Sequence, residues 1–288
     1  MNRINSVLVT GGTGTFGKSF VKFLLDQTSI ERICVYSRGE HTQASMRAAL
    51  GDPDRVRWMI GDIRDVDRLK RAMHGVDSVV HAAALKRIET GAYNPDEMVK
   101  TNILGTMNVV EAAVASHVKF VVGLSSDKAY QPISPYGQSK AIAESLLLAG
   151  NQLHGKSCTK FAATRYGNIW GAQGSVVPAW KAMIEAGATS LPVTSPDCTR
   201  FFMTIDEAVT MVWNLLTAMR GGELVIPCWL PAYRLGDLVK AFGVDAKVNG
   251  LPEWEKLHES MNDKLCSKDA IRMTVEQLKG LIDNDTTQ

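Results

Sequence analysis

Over the first 165 residues, short runs of β-branched and apolar residues alternate with longer stretches in which apolar positions recur every three or four residues. The short runs are Val7 to Val9, Ile33 to Tyr36, Val56 to Ile60, Ser78 to His81, Lys119 to Leu124 and Phe161 to Thr164, and they read as strands. The stretches 17–27, 64–74, 94–115 and 136–153 read as helices. In 94–115, Met98, Val99, Asn102, Ile103, Thr106, Val109 and Val110 fall on one stripe, which predicts a single long amphipathic helix. Strands separated by helices of this length predict an α/β fold, a doubly wound parallel sheet covered on both faces.

Beyond about residue 168 the pattern loosens, and Gly171, Gly174, Pro178, Pro192 and Pro196 interrupt it. Helical runs at 205–219, 234–242 and 274–283 alternate with short strands near 200–204 and 223–226. The expected organisation is a nucleotide-binding domain at 1–168, with 205–222 packing back on it. A smaller α/β domain from 169–204 and 223–288 then closes over the C-terminal edge of the sheet.

Composition narrows the class further. A chain of 288 residues, 45% apolar and 22% charged, is long enough to bury a full core. A net charge of +2 without a dense basic patch gives no reason to expect nucleic acid as a partner. The five cysteines have no C-x-x-C or metal-binding spacing, which fits reduced thiols in a cytoplasmic protein. No apolar run approaches the ~20 residues that span a bilayer, and the N-terminus enters a strand at once, so neither membrane insertion nor a signal peptide is expected.

Thr10-Gly11-Gly12-Thr13-Gly14-Thr15-Phe16-Gly17 follows the first strand and opens a helix. The spacing Gly11-x-x-Gly14-x-x-Gly17 is a variant of the Rossmann dinucleotide fingerprint. Its glycines serve a tight turn, close approach of backbone to a pyrophosphate, and close helix–strand packing. The helix N-terminus supplies N–H groups and a dipole that favour phosphate. Where an NAD-selective site places a carboxylate, the second strand ends Tyr36-Ser37-Arg38. Arg38 and Ser37 suit a 2′-phosphate, so NADP is the expected cofactor. Asp62 and Ile63 suit the adenine edge, and Ala82, Ala83 and Ala84 let small side chains face the dinucleotide.

Tyr136 and Lys140 stand one helical turn apart behind this fingerprint. A free phenol titrates near ~10, and the charge of Lys140 is expected to lower it so that Tyr136 takes a hydroxyl proton during hydride transfer. Ser126-Asp127-Lys128-Ala129 ends the fifth strand and adds a separate acid/base pair. A simple dehydrogenase needs only the first set. An enzyme that oxidises, eliminates water and reduces again needs both, although the sequence leaves open which of Asp127 and Lys128 is acid and which is base.

With these motifs assembled, the chain resembles the extended short-chain dehydrogenases, and among them the inverting UDP-N-acetylglucosamine 4,6-dehydratases of bacterial sugar biosynthesis. The strings that carry the resemblance include Val9 to Gly14, Val35 to Arg38, His81 to Lys86, Tyr93-Asn94-Pro95, Lys100 to Gly105, Ser126 to Ala129, Arg165 to Asn168, Gly174 to Pro178, Thr199-Arg200-Phe201 and Glu255 to Glu259. The Asp-Lys pair is its most specific element. The resemblance implies hydride transfer from C4 to NADP⁺, loss of water across C5–C6, hydride return to C6, and protonation of C5 from the opposite face. It assigns Ser126, Asp127, Lys128, Tyr136 and Lys140 to catalysis, and adds Asn102, Tyr136 and Lys140 to the cofactor site. Lys86, Asn168, Ser175, Val176, Arg200 and Glu255 go to the UDP-sugar substrate. It further implies a homo-oligomer and no metal. Two departures stand out: Pro252-Glu253-Trp254-Glu255 where the family usually has Arg-Pro-Gly-Glu, and Gln131 to Pro135 in place of an Asn-Pro-x-Asn run. A C4 epimerase or ketoreductase on the same scaffold has no need of Asp127 and Lys128 together. A non-catalytic NADP-binding paralogue has no need of the Ser126, Tyr136 and Lys140 set.

Overall fold

The computed structural model describes residues 2–153, 155 and 158–284, so the end of the expected second segment, 285–288, lies outside the described residues. The strands are β1 (Ser6–Thr10), β2 (Arg32–Ser37), β3 (Val56–Ile60), β4 (Ser78–His81), β5 (Phe120–Leu124), β6 (Lys160–Thr164), β7 (Asn168–Ile169), β8 (Ser190–Val193), β9 (Thr199–Met203), β10 (Leu224–Val225), β11 (Ala232–Arg234) and β12 (Asp245–Val248). The helices are α1 (Thr15–Gln27), α2 (Glu40–Ala49), α3 (Val66–Met73), α4 (Ile88–Tyr93), α5 (Pro95–Met98), α6 (Gly105–Ala115), α7 (Pro135–Leu153), α8 (Val176–Glu185), α9 (Ile205–Ala218), α10 (Leu235–Ala241) and α11 (Val275–Asn284).

Seven strands form one sheet in the order β10-β6-β5-β4-β1-β2-β3, and every pairing is parallel. The expected doubly wound sheet is therefore the fold. β1 is buried at all five positions because helices cover both faces. On one face Phe20, Val21 and Leu24 of α1 and Val209, Val212 and Leu216 of α9 pack on Val7, Val9 and Val35. Phe23 and Trp213 meet edge to face at 5.9 Å, joining α1 to α9. The other face carries Leu69 of α3, Val109 and Ala113 of α6 and Leu147 of α7 against Leu8, Val79 and Phe161. Each such fully buried large side chain contributes roughly 1.5–3 kcal/mol of transfer free energy.

Two smaller sheets, β11-β9-β7 and β12-β8, lie outside the main one with α8, α10 and α11. Leu224–Val225, expected in the second segment, instead pairs parallel with β6 and extends the main sheet. The expected single helix over 94–115 is interrupted. α5 and α6 flank a π-helical stretch, Val99–Leu104, whose wider turn carries Asn102. Pro178, read from sequence as a breaker, sits in the first turn of α8, where a missing N–H costs no intrahelical bond. Pro192 lies in β8, which pairs only with β12 and so tolerates a lost donor. Among the described residues no helix is long and apolar enough to cross a membrane, and no group of His, Cys, Asp and Glu is gathered to hold a metal ion.

Candidate active site

Every strand of the parallel sheet points its C-terminal end the same way, and the glycine turn, Ser37, Arg38, Asp62, Ala82 to Ala84 and Ser126 to Lys128 sit at or just beyond those ends, where ligands of such sheets bind. The first loop is shaped by glycine. Gly11 has φ +65°, and a Cβ on it would lie 2.8 Å from the Ala83 backbone nitrogen. A Cβ on Gly17 would lie 2.5 Å from the Gly11 carbonyl oxygen, so only glycine lets α1 sit this close to the turn. Gly14 caps α1 without a side-chain hydrogen bond, leaving the leading amides without a side-chain acceptor. The cradle fits a dinucleotide pyrophosphate.

Other residues of the expected cofactor set divide by what their side chains do. Thr13 is half-buried, while the Thr15 hydroxyl accepts the Gln173 N–H at 3.1 Å and ties this loop to the chain that follows β7. Phe16 stacks on Phe20 at 5.5 Å and faces the core, so only its backbone faces a ligand. The Ile63 side chain is likewise buried, against Gly105 of the helix layer. Ser37 Oγ accepts the Gln43 amide at 3.0 Å, which leaves its hydroxyl proton free to donate. The Arg38 side chain is 60% exposed and stands 4.0 Å from Asp62. Ala82, Ala83 and Ala84 are half-buried beside Gly11. Asn102 does not present its amide to the cleft. It accepts the Leu85 N–H at 2.8 Å and donates to the Leu85 carbonyl and Ser139 Oγ, each at 2.9 Å, bracing the loop after β4 against α7.

Beneath the loop lies a buried relay that sequence reasoning did not assign. Thr106 donates to the Asn102 carbonyl at 2.6 Å, so its oxygen accepts from His81 Nε2 at 3.1 Å. His81 Nδ1 then accepts from the Thr10 hydroxyl at 2.7 Å, and Thr10 Oγ1 accepts the Ala83 N–H. Only a neutral imidazole with its proton on Nε2 satisfies this chain. Burial and the nearby Lys140 push His81 down to about 3, which agrees.

The residues expected to act as acid and base sit on a 3₁₀ turn, Asp127–Ala129, directly after β5. Ser126 caps the turn and donates to Asp127 Oδ1 at 2.9 Å. Lys128 Nζ donates to Asp127 Oδ1 at 2.9 Å and to Asn168 Oδ1 at 2.8 Å, and lies 3.6 Å from Glu259 Oε1. Asp127 is fully buried, and burial pushes its carboxyl above the usual range. For Lys128 the carboxylates of Asp127 and Glu259 outweigh burial and raise the ammonium above its ordinary value. Among the described residues Asp127 Oδ2 and Glu259 Oε2 are buried with no partner at hydrogen-bond distance, Lys256 Nζ standing 3.6 Å from the latter. Glu259 was the carboxylate the sequence did not single out. It stood in the Glu255 to Glu259 string, but nothing local marks it as a neighbour of Lys128.

Tyr136 and Lys140 project from the first turns of α7 toward this turn. The expected effect of Lys140 on the phenol is not what the structure shows. Burial raises Tyr136 above its ordinary value, the Ser126 hydroxyl and Lys128 pull it down, and Asp127 and Glu259 push it up. Lys140 Nζ instead donates to the Leu124 carbonyl at 2.5 Å, and burial lowers its ammonium to about 8.

On the side expected to meet the sugar, Lys86 is exposed, yet neighbouring chain desolvates its ammonium and, with Arg87, lowers it. Asn168 reaches the Lys128 ammonium from β7. Ser175 caps α8 with its Oγ buried and unpartnered, whereas Val176 packs into the apolar cluster around α8. Arg200 is buried and already paired with Glu255, with further bonds to the Thr199 and Leu257 carbonyls. Four contacts hold residues 256–263 over the turn after β5 and its surroundings. They are Lys256 on the Tyr130 carbonyl at 2.6 Å, Lys128 with Glu259, Arg165 on the Met261 carbonyl, and Tyr130 with Asp263.

Fold and site together define a Rossmann-fold protein of the extended short-chain dehydrogenase class. Over residues 7–277 the chain matches the polysaccharide biosynthesis protein family, and it belongs to that family. It is 42% identical over 258 residues to the inverting UDP-N-acetylglucosamine 4,6-dehydratase of Campylobacter jejuni, covering 89% of this chain and 77% of that protein. It is 37% identical over 265 residues to a UDP-glucose 4-epimerase of Rickettsia canadensis, with coverage of 89% and 77%. Among solved structures it is similar to Pen from Bacillus thuringiensis, with a TM-score of 0.90 and 32% identity over 99% of this chain and 100% of that one.

Proposed function

We propose that this protein is an NADP-dependent, inverting UDP-N-acetylglucosamine 4,6-dehydratase that yields a UDP-4-keto-6-deoxy-L-arabino-HexNAc. The observation that carries the reading is the buried pair on the turn after β5, Asp127 Oδ1 and Lys128 Nζ at 2.9 Å, within reach of the Tyr136 phenol through Ser126. Moving the one proton in that hydrogen bond from lysine to aspartate turns an ion pair into a carboxylic acid and an amine. Those are the two forms an elimination consumes, and the move needs no proton from solvent. Burial favours the neutral pair, while the carboxylates of Asp127 and Glu259 hold the ammonium as the resting form, so the amine is formed only as the elimination proceeds.

The glycine cradle, Arg38 and Ser37 hold the dinucleotide, and Lys140 its ribose side. A nicotinamide held there would supply the acceptor for the C4 hydride and the donor that gives it back at C6. Tyr136 in its phenolate form, which the Ser126 hydroxyl and the Lys128 ammonium favour, takes the C4 hydroxyl proton. The Lys128 amine then removes the proton from C5, which the adjacent ketone has made acidic, while Asp127 protonates the departing C6 hydroxyl as water; once hydride has returned to C6, C5 takes up a solvent-derived proton on the opposite face. Lys86, Ser175 and the α8 N-terminus suit the diphosphate of a UDP-sugar.

A second reading, C4 epimerisation, has the support of the 37% identical Rickettsia relative. One experiment separates the two. The protein is incubated with UDP-N-acetylglucosamine and catalytic NADP⁺ in deuterated water and followed by NMR. A 6-deoxy-4-keto product carrying deuterium at C5 is expected. A C4 epimer with an unlabelled C5 would replace the dehydratase reading.

A further inference from the structure

Lys128 is surrounded by more negative charge than an acid/base pair requires. Glu259 Oε1 lies 3.6 Å from its Nζ, and the Glu259 side chain is 3% exposed. Glu259 comes from the far end of the chain and is rigidly mounted there. Its N–H donates to Ser267 Oγ at 2.9 Å, its carbonyl accepts the Ser267 N–H at 2.7 Å, and Ser267 Oγ is 2.6 Å from the Thr199 hydroxyl of β9. Such anchoring fixes a charge, where a flexible surface carboxylate would be screened.

We propose that Glu259 is a positioning residue of the acid–base centre: its buried carboxylate keeps the single proton that Asp127 and Lys128 share on that pair through the working pH range. The inference rests on the dehydratase reading above. The groups facing Glu259 from neighbouring elements are Lys128 and Asp127 on the turn after β5, Arg200 on β9, Lys256 on its own segment, and the Tyr136 phenol of α7. Arg200 is engaged by Glu255 and Lys256 stands 3.6 Å from Glu259 Oε2, so the cations that remain balance Glu259 without displacing it from Lys128.

The shared-proton form of Asp127 and Lys128 is the active one. A second proton turns the amine into an ammonium and removes the base; loss of the only proton removes the acid. A neighbouring anion raises both of these steps, since it favours bound protons at each. Without it the whole bell-shaped pH profile moves to lower pH. Glu259 itself touches neither the hydride nor the leaving hydroxyl.

The test compares pH profiles of kcat and kcat/KM for the full-length wild-type protein, Glu259→Gln and Lys256→Met, with C5 deuterium incorporation as a parallel readout. In Glu259→Gln both limbs are expected to move to lower pH by about one to three units, the span an adjacent charge commands. Lys256→Met removes a cation from the far oxygen of Glu259, so its bell moves to higher pH. Glu259→Asp keeps the charge and is expected to keep the bell in place at reduced kcat. A role confined to folding would lower rates at every pH and leave the bell where it was. A Glu259→Gln profile that does not move overturns the proposal. Where that variant fails to fold, the Lys256→Met profile decides alone: an upward shift supports the proposal and an unmoved bell overturns it. A wild-type protein that makes no 6-deoxy product is a different outcome, because it removes the dehydratase reading itself and the proposal with it.

Discussion

A Cβ on Gly137 would stand 2.4 Å from the carbonyl oxygen of Lys128. That close approach brings the Tyr136 helix against the turn bearing Asp127 and Lys128, and it is why a residue without a side chain follows the tyrosine. Because the obstacle is backbone, it cannot swing aside. Gly137→Ala is expected to push α7 off the turn, costing about 1–3 kcal/mol of stability as overpacking does. Turnover should fall by a larger factor than the affinity for the dinucleotide, because the glycine cradle, Ser37 and Arg38 lie off α7. Denaturant midpoints and kcat measured on one preparation check both parts, and a variant with unchanged turnover would sink the idea.

On the proposed NADP reading, Arg38 sets the choice of cofactor. Its side chain is exposed at the end of β2, with only a 4.0 Å approach to Asp62 to hold it. Charged hydrogen bonds of about 1.5–3 kcal/mol to a 2′-phosphate correspond to roughly ten- to hundredfold in affinity. Arg38→Ala is expected to weaken NADP⁺ by that factor and leave NAD⁺ almost unchanged, by calorimetric titration. Equal losses for both cofactors would contradict a 2′-phosphate contact.

Lys140 should report cofactor binding as a proton. Its ammonium is lowered to about 8 by burial, so near that pH the empty site is partly deprotonated. A dinucleotide brings negative phosphates and favours the ammonium, so binding at about pH 8 takes up a proton from solution. Titration in two buffers of different ionisation enthalpy measures the uptake. Lys140→Met is expected to abolish it.

His81 ties stability to pH. Folded, it titrates at about 3 against an ordinary 6.5, so between those values the unfolded chain holds a proton that the folded chain does not. Stability therefore rises with pH across that window, and acid removes it from about 6.5 downward, at up to roughly 1.4 kcal/mol per pH unit. Melting curves from neutral pH into this range should show a decline that flattens in His81→Asn. An equal decline in the variant would assign the effect to other groups.

The alternation of strands and helices, the seven-residue glycine turn and the Tyr136–Lys140 turn were all legible in the sequence. Each depends on neighbours close along the chain: a side-chain period, a φ that only glycine reaches comfortably, a spacing of one helical turn. Helix α2 was missed because its only buried residues are Gln43 and Met46, too few for an apolar stripe. The π turn at Val99–Leu104 was missed for the opposite reason. Its apolar period is good, and the interruption coincides with the tie of Asn102 to Leu85 and Ser139, a contact no local pattern encodes.

By itself the sequence determined the sheet, the nucleotide cradle and the residue types available for acid–base work, because those follow from local geometry. Only the tertiary structure decided their electrical state. Tyr136 is raised by the burial that the whole fold imposes, Arg200 is spent on Glu255, and Glu259 reaches Lys128 from the opposite end of the chain. Protonation depends on solvation and on charges close in space, and both are set by residues that the chain brings together only when it folds.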